Sequence, residues 1–211
     1  MKVIGFAGQM QMGKDESADY LSSILKHDGL PWCRGAFANG VKKVFSESFG
    51  KDRAFIEKWK VKDEAPPGMN QSVRKSLQFI GDGFRKIQSD IWIETARRSL
   101  DEPTIISDVR YVNELQMIRD VGGINVLVYR PGFLNDDQNG SEAQIRPFLE
   151  FFLQSGFEGI WTNRSSNEMD LIDVFIINDG TIGDLFNKID MWLLPYIAEQ
   201  YEGVTWDGRI K

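Results

Sequence analysis

The chain has very few cysteines and histidines: Cys33 is the only cysteine among 211 residues, and there is one histidine. A single cysteine excludes an intrachain disulfide and favours a reducing compartment. Its position in an apolar segment predicts a buried thiol rather than a reactive one. The sequence also lacks an apolar run long enough to span a membrane and a secretion-signal pattern, so we expect a soluble cytoplasmic protein that acts without a membrane.

Basic residues are also scarce, because 25 Lys and Arg face 31 Asp and Glu, which gives a net charge of −6. Proteins that bind polymeric nucleic acid usually carry a basic excess, so we expect no such partner. A local cluster of Arg and Lys can still bind small phosphates inside an acidic chain. The length and the 42% of hydrophobic residues predict one α/β domain with insertions.

The most informative stretch is residues 8–15, which follow the apolar segment 3–7. Gly8 and Gly13 enclose four residues and Lys14 follows, as in the phosphate-loop pattern G-x-x-x-x-G-K-[ST], but Asp15 replaces the final Ser or Thr. Glycines let backbone N–H groups approach phosphates, a helix N-terminus favours anions, and the lysine reaches the β- and γ-phosphates. An ordinary Gly-containing turn is the alternative. We assign phosphate binding to Gly8, Gln9, Met10, Gln11, Met12, Gly13, Lys14, Asp15 and Glu16.

Five apolar segments read as strands and alternate with helical patterns, which predicts a parallel sheet covered on both faces. In such sheets ligands bind at the carboxyl ends of the strands. The phosphate loop, Asp108, Arg110 and Arg130 all fall at predicted strand ends. Asp108 is suited to hold Mg²⁺ and Arg110 to bind a second phosphate, with a surface ion pair as the alternative. The predicted strands are residues 3–7, 32–38, 104–107, 124–129 and 174–177.

A block of helices between residues 41 and 100 supplies further candidates. Arg74 and Gln78 lie one helical turn apart, and Arg85 follows on the same predicted helix. Two guanidinium groups and an amide suit recognition of a phosphate and a base, although a solvated helix face would look similar. Lys42 is a further candidate phosphate contact, with a surface lysine as the alternative.

The ordered set of motifs resembles the phage-type deoxynucleoside monophosphate kinase family, which are P-loop kinases related to adenylate kinase. The resemblance covers residues 3–189, and Asp after the loop lysine is typical of that family. The matching motifs are Gly8-x4-Gly13-Lys14-Asp15, Phe37-Ala38 with Lys42, Arg74-x2-Leu77-Gln78-x2-Gly81-Asp82-x2-Arg85 with Trp92, Ser107-Asp108-Val109-Arg110-x3-Glu114, Gly122-Gly123, Arg130-Pro131-Gly132 and Asn178-Asp179-Gly180-Thr181-x3-Leu185.

The resemblance implies a three-layer α/β fold with a five-stranded parallel sheet in the order 2-3-1-4-5. It implies one kinase domain over residues 1–211, with an acceptor-binding helical insertion at about 40–100 and a lid at about 132–169. Such proteins use ATP and Mg²⁺ to phosphorylate a deoxynucleoside 5′-monophosphate for nucleotide supply. A homodimer is compatible with this reading.

The resemblance also implies roles for individual residues. Lys14, Arg85, Asp108 and Arg110 would be catalytic, and Asp15 and Asp108 would hold Mg²⁺. Arg130 would contact the ATP phosphates, with Arg146 and Arg164 as further candidates on the lid. The acceptor would be bound by Phe37, Ala38, Lys42, Arg74, Gln78, Arg85 and Arg110.

Two departures from the family pattern stand out. Family loops carry Thr after the Asp, whereas this chain has Glu16, so Ser17 or water would have to supply a hydroxyl near Mg²⁺. The lid motif Asp-x-His-x-Ser-Glu is reduced to Glu168, and the segment 133–159 is longer than expected. A kinase of another small acceptor such as dephospho-coenzyme A, a nucleotide-dependent switch or binding module without catalysis, and an inactive descendant are the competing hypotheses.

Overall fold

The computed structural model describes residues 2–27, 29–100, 102–134, 141–162 and 167–206. The chain forms two compact units: unit 1 combines Met1–Gly35 with Leu100–Lys211, and unit 2 is Ala36–Ser99. The strands are β1 (Val3–Ala7), β2 (Leu25–His27), β3 (Leu30–Pro31), β4 (Cys33–Gly35), β5 (Thr104–Val109), β6 (Ile124–Tyr129), β7 (Gly159–Ile160), β8 (Val174–Ile177) and β9 (Val204–Trp206). The helices are α1 (Lys14–Ile24), α2 (Ala38–Phe49), α3 (Arg53–Trp59), α4 (Val73–Ile87), α5 (Ile91–Arg97), α6 (Val112–Asp120), α7 (Ser141–Ser155), α8 (Ile182–Lys188) and α9 (Leu194–Gln200).

The main sheet of unit 1 has six strands in the order β4-β5-β1-β6-β8-β7. The neighbours from β4 to β8 pair in parallel, as predicted. The expectation of five strands is wrong, because β7 adds an antiparallel edge strand through the pairs Gly159↔Phe175 and Ile160↔Val174. The strand order therefore differs from the predicted one by this additional strand. A two-residue strand carries no readable periodicity.

The central strands are buried on both faces because helices cover both. On one face, Ile4 and Phe6 of β1 belong to a core cluster with Leu21 of α1 and Ile197 of α9. On the other face, Gly5 lies so close to Ile118 of α6 that an added Cβ would sit 2.4 Å from its Cδ1 atom. Full burial of all five residues of β1 explains why the strand reads as a continuous apolar run. The loops that leave the carboxyl ends of these buried strands form the candidate site.

A second, three-stranded sheet has the order β3-β2-β9 and is antiparallel. The five strands predicted from the sequence include none of these three. Instead α1 ends at Ile24, and Leu25 pairs with Trp206 near the end of the described chain. This pairing spans almost the whole sequence, so no local pattern announces it.

The second parallel strand is shorter than predicted. β4 ends at Gly35, Phe37 has helical backbone angles as the N-cap of α2, and Ala38 already belongs to that helix. Cys33 is exposed, so the prediction of a buried thiol is wrong. The reason is that β4 is an edge strand and the neighbouring Trp32 takes the inward position. The Cys33 thiol donates to Glu102, and this hydrogen bond raises its pKa.

Unit 2 consists of α2 to α5 around a small core of Phe45, Ile56 and Val73. Gly50 ends α2 in the left-handed conformation that glycine favours, as the sequence predicted. The indole N–H of Trp92 donates to the Gly81 carbonyl at 3.0 Å, which ties α5 to α4. The helical character predicted for this region is confirmed, whereas its role in binding an acceptor stays a prediction.

The segment between β6 and β8 contains α7, whose residues Ile145, Phe148 and Phe152 are buried. The rings of Phe152 and Phe175 stack 5.2 Å apart and fix α7 on β8. After α8, a π-helical turn over Ile189–Leu193 leads into α9. Over the described ranges, no helix combines the length and apolar character that crossing a bilayer requires. A cytoplasmic location stays a prediction.

Candidate functional site

The phosphate loop lies between β1 and α1 and depends on two glycines. Gly8 has φ +146°, and a Cβ there would sit 2.5 Å from the Val128 carbonyl oxygen. Gly13 has φ +100°, is the N-cap of α1, and a Cβ there would sit 2.6 Å from Asn178 Nδ2. Both positions therefore need glycine for backbone conformation and for space. The glycine spacing read from the sequence has this physical cause.

Gln11 is the non-glycine residue with positive φ among those described, at φ 64°. Non-glycine residues in this region carry backbone strain, and such strain concentrates at functional sites. Within the same loop, Met12 is buried and the Gln9 amide N–H approaches its sulfur at 3.2 Å. The loop is thus held by its own side chains as well as by the glycines.

Lys14 is folded across the loop. Its ammonium group donates to the Gln9 carbonyl oxygen at 2.5 Å, and the residue is only 6% exposed. Burying a charge requires compensation by hydrogen bonds, which this carbonyl provides. The arrangement places a positive charge inside the loop, next to the backbone N–H groups at the start of α1.

Asp15 joins the loop to the end of β5. Ser107 Oγ donates to Asp15 Oδ1 at 2.5 Å, and Arg34 Nη2 donates to the same hydroxyl oxygen at 3.0 Å. Arg34 Nη2 also lies 3.6 Å from Asp15 Oδ1, and its Nε lies 3.0 Å from Asp19 Oδ1. Neither Arg34 nor Ser107 was a sequence candidate, although Ser107 was part of the family motif. A carboxylate and a hydroxyl therefore meet beside the loop.

The sequence left Ser17 as one candidate source of a hydroxyl near Mg²⁺. Its Oγ donates to the Gly13 carbonyl oxygen at 2.8 Å and the residue is fully buried within α1. Glu16, in contrast, is exposed on the first turn of α1. The Ser107 hydroxyl contacts Asp15, whereas the Ser17 hydroxyl contacts the Gly13 carbonyl.

A cavity of about 220 Å³ opens beside the loop. Arg130 follows β6 directly, lines this cavity, and stacks its guanidinium over the Phe133 ring at 4.4 Å. Asn178 closes another side by donating from Nδ2 to the Met12 carbonyl oxygen at 3.1 Å. Arg130 therefore lies beside the loop, as we expected from its position at the end of a predicted strand. The lining residues are Gln11, Gly13, Glu16, Arg130, Asn178, Gly180 and Ile182.

Asp108 and Arg110 lie at the same end of β5 as Ser107. Asp108 is inside the strand, which continues to Val109 and so beyond the predicted end. The backbone N–H groups of Arg110 and Tyr111 donate to the Glu114 carboxylate at 2.8 and 3.1 Å. Glu114 is 2% exposed and caps the start of α6, which explains its place in the motif. The metal role of Asp108 and the phosphate role of Arg110 stay predictions.

The remaining acceptor candidates belong to unit 2. Phe37 is buried before α2, and Ala38 is the first residue of that helix. Lys42 forms an ion pair with Glu57 at 2.9 Å. Although partial burial raises the pKa of Glu57, hydrogen bonds from Lys60 and Lys42 lower it to about 2. Lys42 is therefore engaged within unit 2.

Three candidates share α4. Arg74 Nε donates to the Lys60 carbonyl oxygen at 3.1 Å. Gln78, one turn further along α4, is exposed, and Arg85 is half-buried with its guanidinium near Gly81. Their assignment to the acceptor stays a prediction.

On the lid side, Arg146 pairs with Glu150 along α7 at 2.7 Å. Arg164 lies outside the described residues, as does most of the altered lid motif. Among the described residues, no group of three or more His, Cys, Asp or Glu side chains is arranged for a metal ion.

Comparison with known proteins finds similar viral sequences. The chain is 24% identical over 208 residues to a protein of Acanthamoeba polyphaga mimivirus named "Putative deoxynucleotide monophosphate kinase", covering 90% of this chain and 94% of that one. It is 28% identical over 138 residues to "Uncharacterized protein ORF77" of Ictalurid herpesvirus 1 (strain Auburn), covering 62% of this chain and 52% of that one. No protein-family model matches.

Among solved structures, the chain aligns with the dephospho-CoA kinase from Campylobacter jejuni. It aligns over 94% of this chain and 98% of its own, with a TM-score of 0.46 and 13% identity. At this level of similarity the alignment assigns no activity to the chain. The fold and site define an α/β protein with a mostly parallel sheet and a glycine-framed, lysine-containing loop at the strand ends.

Proposed function

We propose that this protein transfers the γ-phosphoryl group of ATP to a deoxynucleoside 5′-monophosphate and forms the diphosphate. The observation that carries the proposal is the loop itself: Gly8 and Gly13 in conformations reserved for glycine, with Lys14 buried inside. Such a loop presents backbone N–H groups and a cation to the phosphates of a nucleotide. The mimivirus relative, similar over nearly the whole chain, carries a matching name.

In the proposed reaction an oxygen of the acceptor phosphate forms a new bond to the γ-phosphorus. The bond from that phosphorus to the bridging oxygen breaks, and its electron pair leaves with ADP. The acceptor phosphate is largely a dianion near neutral pH, so no general base is needed. Catalysis then depends on positioning and on neutralising negative charge.

The chain's own residues divide this work. Residues 8–16 hold the ATP phosphates, with Lys14 moving from the Gln9 carbonyl to the β- and γ-phosphates. Arg130, at the cavity beside the loop, contacts the phosphates from the side of β6. The proposal assigns the acceptor to Arg110 and to the unit 2 groups Phe37, Ala38, Lys42, Arg74, Gln78 and Arg85.

The donor atoms beside the loop fit Mg²⁺. Asp15 offers a carboxylate and Ser107 a hydroxyl oxygen, and both are the hard oxygen ligands that Mg²⁺ prefers. Asp108, the next residue of β5, is the second carboxylate that we assign to the metal. When bound, the ion would neutralise charge on the β- and γ-phosphate oxygens. Arg34 would neutralise part of the charge of Asp15.

The experiment that tests the proposal offers purified protein a panel of deoxynucleoside and ribonucleoside monophosphates with ATP and MgCl₂, followed by product analysis. Formation of a deoxynucleoside diphosphate together with equimolar ADP is the expected result. ADP formation only with another small acceptor would replace the acceptor in the proposal. ATP binding without acceptor-stimulated turnover would indicate a binding module instead of an enzyme.

A further inference from the structure

Lys188, the last residue of α8, makes a set of contacts that the proposed reaction does not use. Its ammonium group donates to the Ile177 carbonyl oxygen at 2.6 Å and to Asp179 Oδ1 at 2.9 Å. It also lies 2.9 Å from Glu158 Oε1. Three acceptors match the three N–H donors of an ammonium group. Although partial burial lowers the pKa of Lys188, the hydrogen bonds with Asp179 and Glu158 raise it overall.

Glu158 comes from a different part of the chain, directly before β7. Its Oε1 atom accepts the Ile177 backbone N–H at 2.7 Å. The carboxylate therefore bonds to the last residue of β8, beside the two residues of β7. The segment that supplies Glu158 is anchored by the stacked rings of Phe152 and Phe175. Glu158 belongs to the segment 133–159, which is longer than we expected for the family. Its carboxylate connects this segment to Ile177 and Lys188.

The turn that these contacts hold, residues 178–181, forms one wall of the cavity beside the phosphate loop. Asn178 donates from its backbone N–H to the Tyr129 carbonyl oxygen at 2.6 Å and from its side chain to the loop. Asp179 is held by Lys188, and this hydrogen bond lowers the pKa of Asp179. At Gly180 a Cβ would sit 2.5 Å from Asp184 Oδ2, which in turn accepts from Thr181. Hydrogen bonds therefore hold the turn at Asn178, Asp179 and Thr181.

We propose that Glu158, Lys188 and Asp179 form a positioning clamp that holds turn 178–181 against the phosphate loop. The clamp fixes one wall of the cavity, to which we assign the nucleoside part of the donor nucleotide, next to the phosphates that the loop and Arg130 contact. This inference rests on the proposed function, because it assumes a nucleotide in the loop. The three residues are positioning residues, since none of them lines the cavity itself.

Calorimetric titration of the Lys188→Met variant with ATP and, separately, with inorganic tripolyphosphate tests the clamp. We expect the Kd for ATP to rise about tenfold, because turn 178–181 loses its fixed position. The Kd for tripolyphosphate should stay within about twofold of wild type, since Gly8, Gly13 and Lys14 are unchanged. Lys188→Arg, which keeps the charge and the donors, should restore most of the ATP affinity, and Glu158→Gln should weaken ATP binding in the same direction.

The control is Lys62→Met, which removes a half-buried lysine of unit 2 that lies 3.6 Å from Glu64 and over the Trp59 ring, and changes the net charge equally. It should leave both affinities unchanged. Equal weakening of ATP and tripolyphosphate by Lys188→Met, or no change in either, would overturn the clamp while leaving the phosphate loop in place. Wild-type protein that binds neither ligand would instead overturn the proposed function.

Discussion

Ser107 Oγ donates a hydrogen bond of 2.5 Å to Asp15 Oδ1, and this contact joins the phosphate loop to the end of β5. In the common phosphate loop the residue after the lysine supplies a hydroxyl and a neighbouring strand supplies a carboxylate. Here the loop supplies the carboxylate and the strand supplies the hydroxyl. Under the proposed function the two groups have exchanged places, so the loop and the strand together still offer one carboxylate and one hydroxyl.

The pair predicts how turnover depends on Mg²⁺. Asp15→Asn keeps the size of the side chain but removes its charge, so the Mg²⁺ concentration for half-maximal turnover should rise about tenfold or more. Binding of Mg²⁺ in the presence of a non-hydrolysable ATP analogue, followed by calorimetry, should weaken in parallel. Asp19→Asn is the matched control, because Asp19 pairs with the same Arg34 outside the loop. An equal effect of both substitutions would contradict the assignment of Asp15.

Lys14 should be essential for transfer. Lys14→Ala removes the cation that follows the charge on the β- and γ-phosphates, and we expect kcat to fall by about 100-fold or more. The thermal midpoint should change little, because Lys14→Ala also removes a buried charge whose desolvation costs free energy. The measurement is acceptor-dependent ADP release in a coupled assay, with Lys62→Ala as the control. Near-normal turnover of Lys14→Ala would remove the loop from the mechanism.

Gly8 should tolerate no side chain. Gly8→Ala places a Cβ 2.5 Å from the Val128 carbonyl oxygen at φ +146°, which should lower the free energy of unfolding by about 1–3 kcal/mol and weaken ATP binding. Gly83→Ala provides the opposite case, because an added Cβ at this position of α4 meets no atom within 4 Å. That variant should be stabilised by about 0.5–1 kcal/mol. Urea unfolding of the two variants separates these outcomes, and equal stability of both would contradict the steric argument.

Tyr20 predicts a loss of stability at high pH. Burial, followed by its hydrogen bond to Asp190, raises the pKa of Tyr20 from 10.0 to about 12. Below pH 10 the phenol is protonated in the folded and unfolded chains alike, so its contribution is complete. Between pH 10 and 12 the unfolded chain loses the proton first, and stability should fall. Urea unfolding between pH 9 and 11 should show a smaller decline for Tyr20→Phe, and identical declines would count against a role for Tyr20.

The sequence predicted the loop well because its signals are local. Glycine spacing, the lysine and the start of α1 all lie within a few residues, and the steric reasons for both glycines operate on that scale. The partners of the loop could not be predicted in the same way. Ser107 contacts Asp15 across 92 positions, and Asn178 contacts the Met12 carbonyl across 166. Such contacts depend on strand order, which a single sequence does not encode locally.

The choice between neighbouring residues was equally difficult. Sequence analysis selected Asp108 as the acidic residue at the end of its strand, whereas the side chain that reaches Asp15 is that of Ser107. Adjacent residues of a strand point to opposite faces, so only one of Ser107 and Asp108 can face the loop. Where β5 begins and ends decides which of the two does. β5 continues to Val109, two residues past the predicted end at Ser107. The short strands β2, β3, β7 and β9 were missed because two or three residues show no periodicity.

The most direct measurement is the fate of the γ-phosphate. ATP labelled at its γ-phosphate, incubated with MgCl₂ and a deoxynucleoside monophosphate, should transfer the label to the β-position of the deoxynucleoside diphosphate. The label should remain on ATP when the acceptor is omitted and when Lys14→Ala replaces the wild-type protein. Label found only in inorganic phosphate, or in no product at all with each deoxynucleoside monophosphate, would contradict the proposed phosphoryl transfer.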